Sequence, residues 1–205
     1  MKTRSYVSHA RAAAAADNRD KVVRAAIAFL RQQDIARFSL DAVAKSAGVA
    51  RLTVYNQFGS RRGLLEAVFD EIARSGGLAR IPQAMAKGDP MKALDALVDV
   101  FCDFWSGNEA MGQLHDAVGL DPEFGEAVSA RNERRRGALT RLVERMKLAG
   151  SVAARRDAVD LIFTLTSYPV YRSLAATKSN KAIRRIIKAA SVDAIERARN
   201  RSEQE

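Results

Sequence analysis

The chain contains 205 residues, of which 47% are hydrophobic and 28% are charged, and this is enough apolar material for one long or two short domains. A net charge of +10 favours a polyanionic partner. A single cysteine excludes an intrachain disulfide, and the lack of a long apolar run or signal-peptide core predicts a cytoplasmic protein that does not enter a membrane.

Residues 1–16 form a basic, alanine-rich segment that carries Lys2, Arg4 and Arg11. We interpret this segment as a flexible N-terminal arm. Basic arms of this kind reach DNA phosphates or an A·T-rich minor groove. The alternative is an extension that frays and contacts nothing.

Residues 38–65 contain two short predicted helices, joined by a glycine turn and followed by the start of a third. Ser39 can cap the first helix, because its hydroxyl accepts hydrogen bonds from free backbone N–H groups. Gly48 ends this helix, because glycine adopts the positive φ of a helix C-cap without steric cost. This helix-turn-helix pattern is typical of proteins that place one helix in a DNA major groove.

The second of these helices, residues 50–58, has Val54 and Phe58 four residues apart on its buried side. Ala50, at its start, offers no capping side chain. Its outward side chains contain no carboxylate and many hydrogen-bonding groups: Arg51, Leu52, Thr53, Tyr55, Asn56 and Gln57. Such a surface suits phosphates and base edges.

Ser60 can cap the third helix, whose first residues are Arg61 and Arg62. Two cations at a helix N-terminus oppose the helix dipole, so their position indicates an anion bound nearby. The alternative for Arg62 is a solvated surface charge. Gly63 lies in the same first turn, where it is expected to cost roughly 1 kcal/mol relative to alanine.

Residues 19–68 resemble the TetR-type (TetR/AcrR) family of transcriptional regulators. The stretches that carry the resemblance are VVRAAIAFL, residues 22–30, and AVAKSAGVARLTVYNQFGSRRGLL, residues 42–65. The resemblance implies an all-α, homodimeric DNA-binding protein that is usually a repressor. It also implies an N-terminal three-helix DNA-binding domain, residues 17–74, and a larger C-terminal helical domain for ligand binding and dimerisation, residues 75–205.

The resemblance assigns phosphate contacts to Thr53, Tyr55 and Arg61, and it makes Ser39 the candidate phosphate contact of the preceding helix. Gln57 stands where a histidine is common and keeps a hydrogen-bond donor there. The alternative for Tyr55 is a half-buried aromatic that closes the small core.

The variable positions of the recognition helix are Arg51, Leu52 and Asn56, and we assign base readout to them. Arginine binds guanine through two parallel hydrogen bonds, asparagine binds adenine in the same way, and leucine packs on a thymine methyl group.

Residues 74–90 are rich in glycine and proline and form a connector, after which a helical pattern returns. Further helices are predicted over residues 91–105, 109–118, 121–148, 158–176 and 181–199. The polar run in the middle of the third of these is predicted to be solvated.

The final predicted helix has isoleucines at spacings of three and four, which form a stripe opposite Arg184, Arg185 and Lys188. A monomer could fold this stripe inward. The resemblance favours a homodimer through the last two helices, and a dimer places two recognition helices ~34 Å apart on a pseudo-palindromic operator in double-stranded DNA.

Pro169 is predicted to kink its helix beside a candidate pocket. The resemblance implies a largely apolar small-molecule effector whose binding releases the DNA. Eight side chains are candidates to bind it, although each one also fits an ordinary core: Phe101, Phe104, Trp105, Met111, His115, Phe163, Tyr168 and Tyr171.

Two other function classes remain as alternatives. An enzyme is disfavoured, because the chain has no metal-spaced Cys/His cluster, no glycine-rich phosphate loop and no nucleophile elbow. Cys102 with His115 is the one possible nucleophile and base. We therefore expect no catalytic residue, metal or cofactor. A ligand-independent DNA-binding or architectural protein is the second alternative.

Overall fold

The computed structural model describes residues 3–200, with side chains from residue 14 onward, and the regular elements in this range are all helical. The all-α prediction is confirmed. The α-helices are α1 (Thr3–Gln32), α2 (Leu40–Ala47), α3 (Arg51–Phe58), α4 (Arg61–Ser75), α5 (Ile81–Met85), α6 (Pro90–Ser106), α7 (Met111–Leu120), α8 (Pro122–Arg145), α9 (Val152–Leu165), α10 (Tyr168–Ala175) and α11 (Asn180–Asn200). Among residues 3–200, no helix combines the length and the apolarity that crossing a membrane requires.

Helix α1 begins at Thr3, so residues 3–16, predicted as a flexible arm, continue directly into the first helix. The alanine run at residues 12–16 explains this difference, because alanine has the highest intrinsic helix propensity. The side chains of Lys2, Arg4 and Arg11 lie outside the described residues, and a DNA contact from this segment stays a prediction.

The chain divides into two compact units. The first contains the residues up to Ile72 together with Glu109–Ala127, and the second contains Ala73–Asn108 together with the chain from Val128 onward. The sequence analysis placed residues 109–127 in the C-terminal region, but they pack with the N-terminal helices. A hydrogen bond contributes to this packing, since the Gln113 side chain accepts from the backbone N–H of Ile35 at 2.8 Å.

In the first unit, the predicted capping residues of the helix-turn-helix act as expected. The Ser39 hydroxyl accepts from the Ala42 N–H at 3.1 Å, and Gly48 takes the left-handed conformation with φ 62°. Val54 is fully buried, and Phe58 is nearly so. Helix α3 therefore packs through the predicted side.

In the second unit, helix α11 lies against α6 and α9. Ile183, Ile187 and Ile195 are all buried in the core of their own chain. The isoleucine stripe thus folds inward, which corrects its assignment to a dimer interface. On the neighbouring face of the helix, Lys188 donates to the carboxylates of Asp95 at 2.9 Å and Asp99 at 2.8 Å.

The helix predicted over residues 158–176 is two helices. Helix α9 ends at Leu165, and Pro169 lies in the first turn of α10. Proline has no N–H to donate and is tolerated at a helix start, where that N–H would be unpaired in any case. The proline therefore begins a helix instead of kinking one.

Gly63 generates the first testable prediction. A Cβ at this position would overlap the backbone carbonyl oxygen of Phe58, so glycine is required where alanine was expected to be better. We expect Gly63→Ala to lower the free energy of unfolding by about 1–3 kcal/mol, measured by urea denaturation.

The matched control is Gly137→Ala in α8. A Cβ there meets only the end of the Arg141 side chain, at 3.5 Å, so the change should raise stability by up to about 1 kcal/mol. A Gly63→Ala protein as stable as the wild type would show that the carbonyl contact is not limiting.

Candidate functional site

The outer face of α3 exposes side chains that normally avoid water. Leu52 is 65% exposed and Tyr55 is 55% exposed, while Val54 between them is fully buried. Asn56 is exposed on the same face. Exposed apolar and hydrogen-bonding side chains on one helix face can contact methyl groups and base edges in a major groove. The exposure of Tyr55 also argues against the alternative in which it closes the core.

The remaining candidates on this surface are accessible to different degrees. Thr53 is half-buried, and Ser39 uses its hydroxyl as an acceptor in its cap, which leaves the hydroxyl proton free to donate. Arg51 pairs with Asp41 at 3.0 Å, with 68% of each side chain exposed. Exposed pairs contribute ~0–1 kcal/mol, so a phosphate or a base can displace this one.

Gln57 does not face outward as predicted. Its side-chain amide nitrogen donates to the backbone oxygen of Ala15 in α1 at 3.0 Å, and its Oε1 is buried without a partner among the described residues. The long α1 covers this position, which the sequence analysis could not anticipate because it treated residues 1–16 as a flexible arm. Gln57 therefore positions α3 against α1 in this structure.

Arg61 also differs from its predicted role. Its guanidinium forms an ion pair with Asp121 at 2.7 Å and donates to the backbone oxygens of Phe38 at 3.1 Å and Ile35 at 3.3 Å. Arg62 contacts Glu66 at 2.7 Å. The anion predicted near these two arginines is thus supplied by carboxylates of the chain itself, and a phosphate contact from Arg61 would require breaking these bonds.

In the second unit, aromatic side chains gather around the junction between α9 and α10. The Trp105 ring lies 4.5 Å from Phe104 and 5.5 Å from Tyr168, measured between centroids. The Trp105 indole N–H donates to the Thr166 carbonyl oxygen at 2.9 Å. This carbonyl lies at the helix break beside the proline.

Arg135 of α8 joins this cluster. One terminal nitrogen of its guanidinium donates to the same Thr166 oxygen at 2.8 Å, and the group lies 4.1 Å from the ring centroid of Phe163 and 5.4 Å from that of Phe101. Burial lowers the pKa of the Arg135 guanidinium to about 10, so it stays charged at neutral pH. We call the group of Phe101, Trp105, Arg135, Phe163 and Tyr168 the aromatic cluster.

Two of the predicted effector residues lie elsewhere. Met111 is buried and His115 half-buried in the first unit, whereas the aromatic cluster belongs to the second. Tyr171 packs with Cys102, Ile183 and Ile187 in an apolar cluster that Trp105 also contacts. Phe104 is fully buried and contacts Trp105. The second unit therefore contains six of the eight, and four of these belong to the aromatic cluster: Phe101, Trp105, Phe163 and Tyr168.

Cys102 has the environment of a core residue. Its side chain is buried, and that burial raises the pKa of the thiol to about 11. The thiol is therefore protonated at neutral pH and is a poor nucleophile.

Residues 22–68 match the model for bacterial regulatory proteins of the TetR family. This match assigns residues 22–68 to the DNA-binding domain of the TetR family. TetR-family proteins are transcriptional regulators, generally repressors, which bind operator DNA and usually act as homodimers with small-molecule effectors. Over 153 residues the chain is 26% identical to the HTH-type transcriptional regulator EthR of Mycolicibacterium smegmatis, covering 73% of this chain and 70% of that protein.

Solved structures of transcriptional regulators share the fold of this chain. A transcriptional regulator from Rhodococcus sp. Rha1 superimposes with a TM-score of 0.70 at 14% identity, covering 88% of this chain and 97% of that one. NalD, the secondary repressor of the MexAB-OprM multidrug efflux pump in Pseudomonas aeruginosa, gives a TM-score of 0.68 at 15% identity, covering 87% and 95%.

The sequence analysis missed Arg135, because it lies in the run ARNERRRGALTR that was predicted to be solvated. A signal was present in its spacing. Arg135 precedes the buried Leu139 by four residues and Leu142 by seven, so helical periodicity places it on the inward face of α8.

The setting of Arg61 generates the second prediction. We expect Arg61→Met to lower the free energy of unfolding by about 1.5–3 kcal/mol, because Asp121 and two carbonyl oxygens lose a charged donor. Arg62→Met is the control, since it removes a partly exposed pair on a helix surface and should change the free energy of unfolding much less. If Arg61→Met instead weakened DNA binding and left urea unfolding unchanged, the predicted phosphate contact would be correct.

Proposed function

We propose that this TetR-family protein is a sequence-specific repressor that binds a pseudo-palindromic operator as a homodimer and is released by a small-molecule effector. The observation that carries the proposal is the outer face of α3. A buried apolar side anchors this helix, and Leu52 and Tyr55 stay exposed beside hydrogen-bonding groups. A surface of this composition fits the floor and walls of a major groove.

The DNA contacts divide by chemistry. Thr53, Tyr55 and Ser39 offer hydroxyl donors to phosphates and hold the protein in register. Arg51, Leu52 and Asn56 read base edges. Because its pair with Asp41 is exposed and weak, Arg51 can turn to a guanine at little cost.

The homodimer is proposed to form through the outer faces of the last long helices, α9 and α11. A groove of 640 Å³ lies between them, lined by Leu161, by alanines that include Ala158 and Ala194, and by charged and polar side chains: Asp157, Asp193, Glu196, Arg197 and Asn200. Leu161 is 39% exposed and Val192 is 36% exposed. The inward-folded isoleucines leave this face available, and a second copy of the chain would cover it.

The effector is proposed to bind at the aromatic cluster. Its side chains come from α6, α8, α9 and α10, and they surround a helix break whose freed carbonyl oxygen, that of Thr166, already accepts two hydrogen bonds. A ligand that binds one arrangement of this junction more tightly than another would shift the equilibrium between two conformations of the dimer.

The third prediction tests the DNA-reading surface. Tyr55→Phe and Thr53→Ala should weaken binding to all duplexes alike, because they remove phosphate contacts. Asn56→Ala and Arg51→Ala should change the preferred sequence by about 1–3 kcal/mol per base contact. Selection from a random duplex pool, followed by mobility shifts at fixed salt, measures both effects.

Arg141→Ala is the matched control for Arg51→Ala, since it removes the same charge from an exposed position of α8 in the second unit. It should leave the selected sequence unchanged. Equal binding of the wild type to every duplex would contradict the proposal and favour the architectural alternative.

The fourth prediction concerns the dimer. Leu161→Glu should raise the dimer dissociation constant at least about 30-fold, because an unpaired charge would be buried in each half of the interface. Sedimentation velocity over a concentration series measures it. Leu120→Glu is the control, because Leu120 is 60% exposed and is not one of the residues that line the groove. An unaffected Leu161→Glu dimer would place the interface elsewhere.

A further inference from the structure

Arg135 is a half-buried cation without an anionic partner among the described residues. Its Nε is buried and has no hydrogen-bond partner, and its described hydrogen bonds go only to the carbonyl and hydroxyl oxygens of Thr166. Burial lowers the pKa of its guanidinium, and the neighbouring cation of Arg136 lowers it further. The charge is compensated only by a carbonyl dipole, a hydroxyl and the aromatic faces of Phe101 and Phe163.

Three other cations of the same unit are paired with carboxylates. Arg136 lies 4.2 Å from the same Phe163 ring but is paired with Asp160. Arg184 pairs with Asp103, and Lys188 pairs with two aspartates. Since a buried charge is retained at a large desolvation cost unless it is paired, the arrangement at Arg135 is incomplete as it stands.

We propose that Arg135 binds the carboxylate of the effector and that the effector is an apolar molecule with one carboxylate. This inference deepens the proposed function and rests on it. A guanidinium with unused donors matches the two oxygens of a carboxylate in a bidentate pair. The aromatic side chains of Phe101, Phe163 and Trp105 provide the apolar surface for the rest of the ligand.

The single positive charge of Arg135 favours a ligand with a single negative charge. One guanidinium neutralises one carboxylate, whereas a phosphate monoester would leave a second charge unpaired among aromatic rings. The carboxylate would also compete with Thr166 for the donors of Arg135. Because the Trp105 indole bonds the same Thr166 oxygen, ligand binding is expected to change the environment of the single tryptophan of the chain.

The fifth prediction uses that tryptophan as a probe in the full-length protein. Fluorescence titrations compare 3-phenylpropionate with its amide and octanoate with its amide, so that each pair has one shape and differs in charge. In the wild type, at least one carboxylate should bind about 10- to 100-fold more tightly than its amide. Arg135→Met should abolish this difference, and Arg136→Met, the matched control on the same ring, should keep it.

The carboxylate–amide comparison in the wild type stands even if Arg135→Met fails to fold. Equal affinity for acid and amide, or binding of none of the four probes, overturns the proposal. Addition of the same probes to a preformed protein–DNA complex tests carboxylate binding and DNA release separately. A carboxylate that binds through Arg135 without releasing DNA supports this inference and contradicts release of the DNA by the effector. Release of the DNA by the amide as well as by the acid contradicts carboxylate recognition and leaves the repressor proposal intact.

Discussion

The burial of two side chains of α3 is the constraint on which the DNA-facing surface depends. Val54 and Phe58 lie in the core of the first unit, so the rest of an eight-residue helix has to face away from that core. The helix has no side-chain cap at its start, since Ala50 offers none. Its position is therefore set by packing and by the bond from Gln57 to α1, and a short helix of this kind is stable only through such tertiary contacts.

In the first unit, the charged side chain of Arg61 stabilises the packing of segments that are far apart in the sequence. Arg61 connects three separate parts of the chain, since it bonds the backbone at Ile35 and Phe38 and the carboxylate of Asp121. Asp121 also accepts from the N–H of Phe124 and so caps the start of α8. A residue that the family resemblance assigns to phosphate contact thus holds the α7–α8 segment against the helices that present the recognition surface.

The second unit contains charged side chains that are paired with carboxylates, whereas Arg135 has no carboxylate partner among the described residues. Along the contact between α6 and α11, aspartates and cations neutralise each other. At the α9–α10 junction, by contrast, Arg135 has aromatic faces and one threonine as its neighbours. Packing of the first kind stabilises a fold, whereas a half-buried charge of the second kind is typical of ligand sites.

The amino-acid sequence by itself determined the features that depend on neighbours along the chain. These are the all-α class, the Ser39 and Gly48 caps, the buried pair of α3 and the similarity to the TetR family, because helix periodicity and capping are local. Tertiary structure decided what depends on distant partners: the carboxylate for Arg61, the cover of α1 over Gln57, the carbonyl that excludes a side chain at Gly63, and the burial of Arg135. Each of these involves residues far apart in the sequence or a backbone geometry that no periodicity encodes.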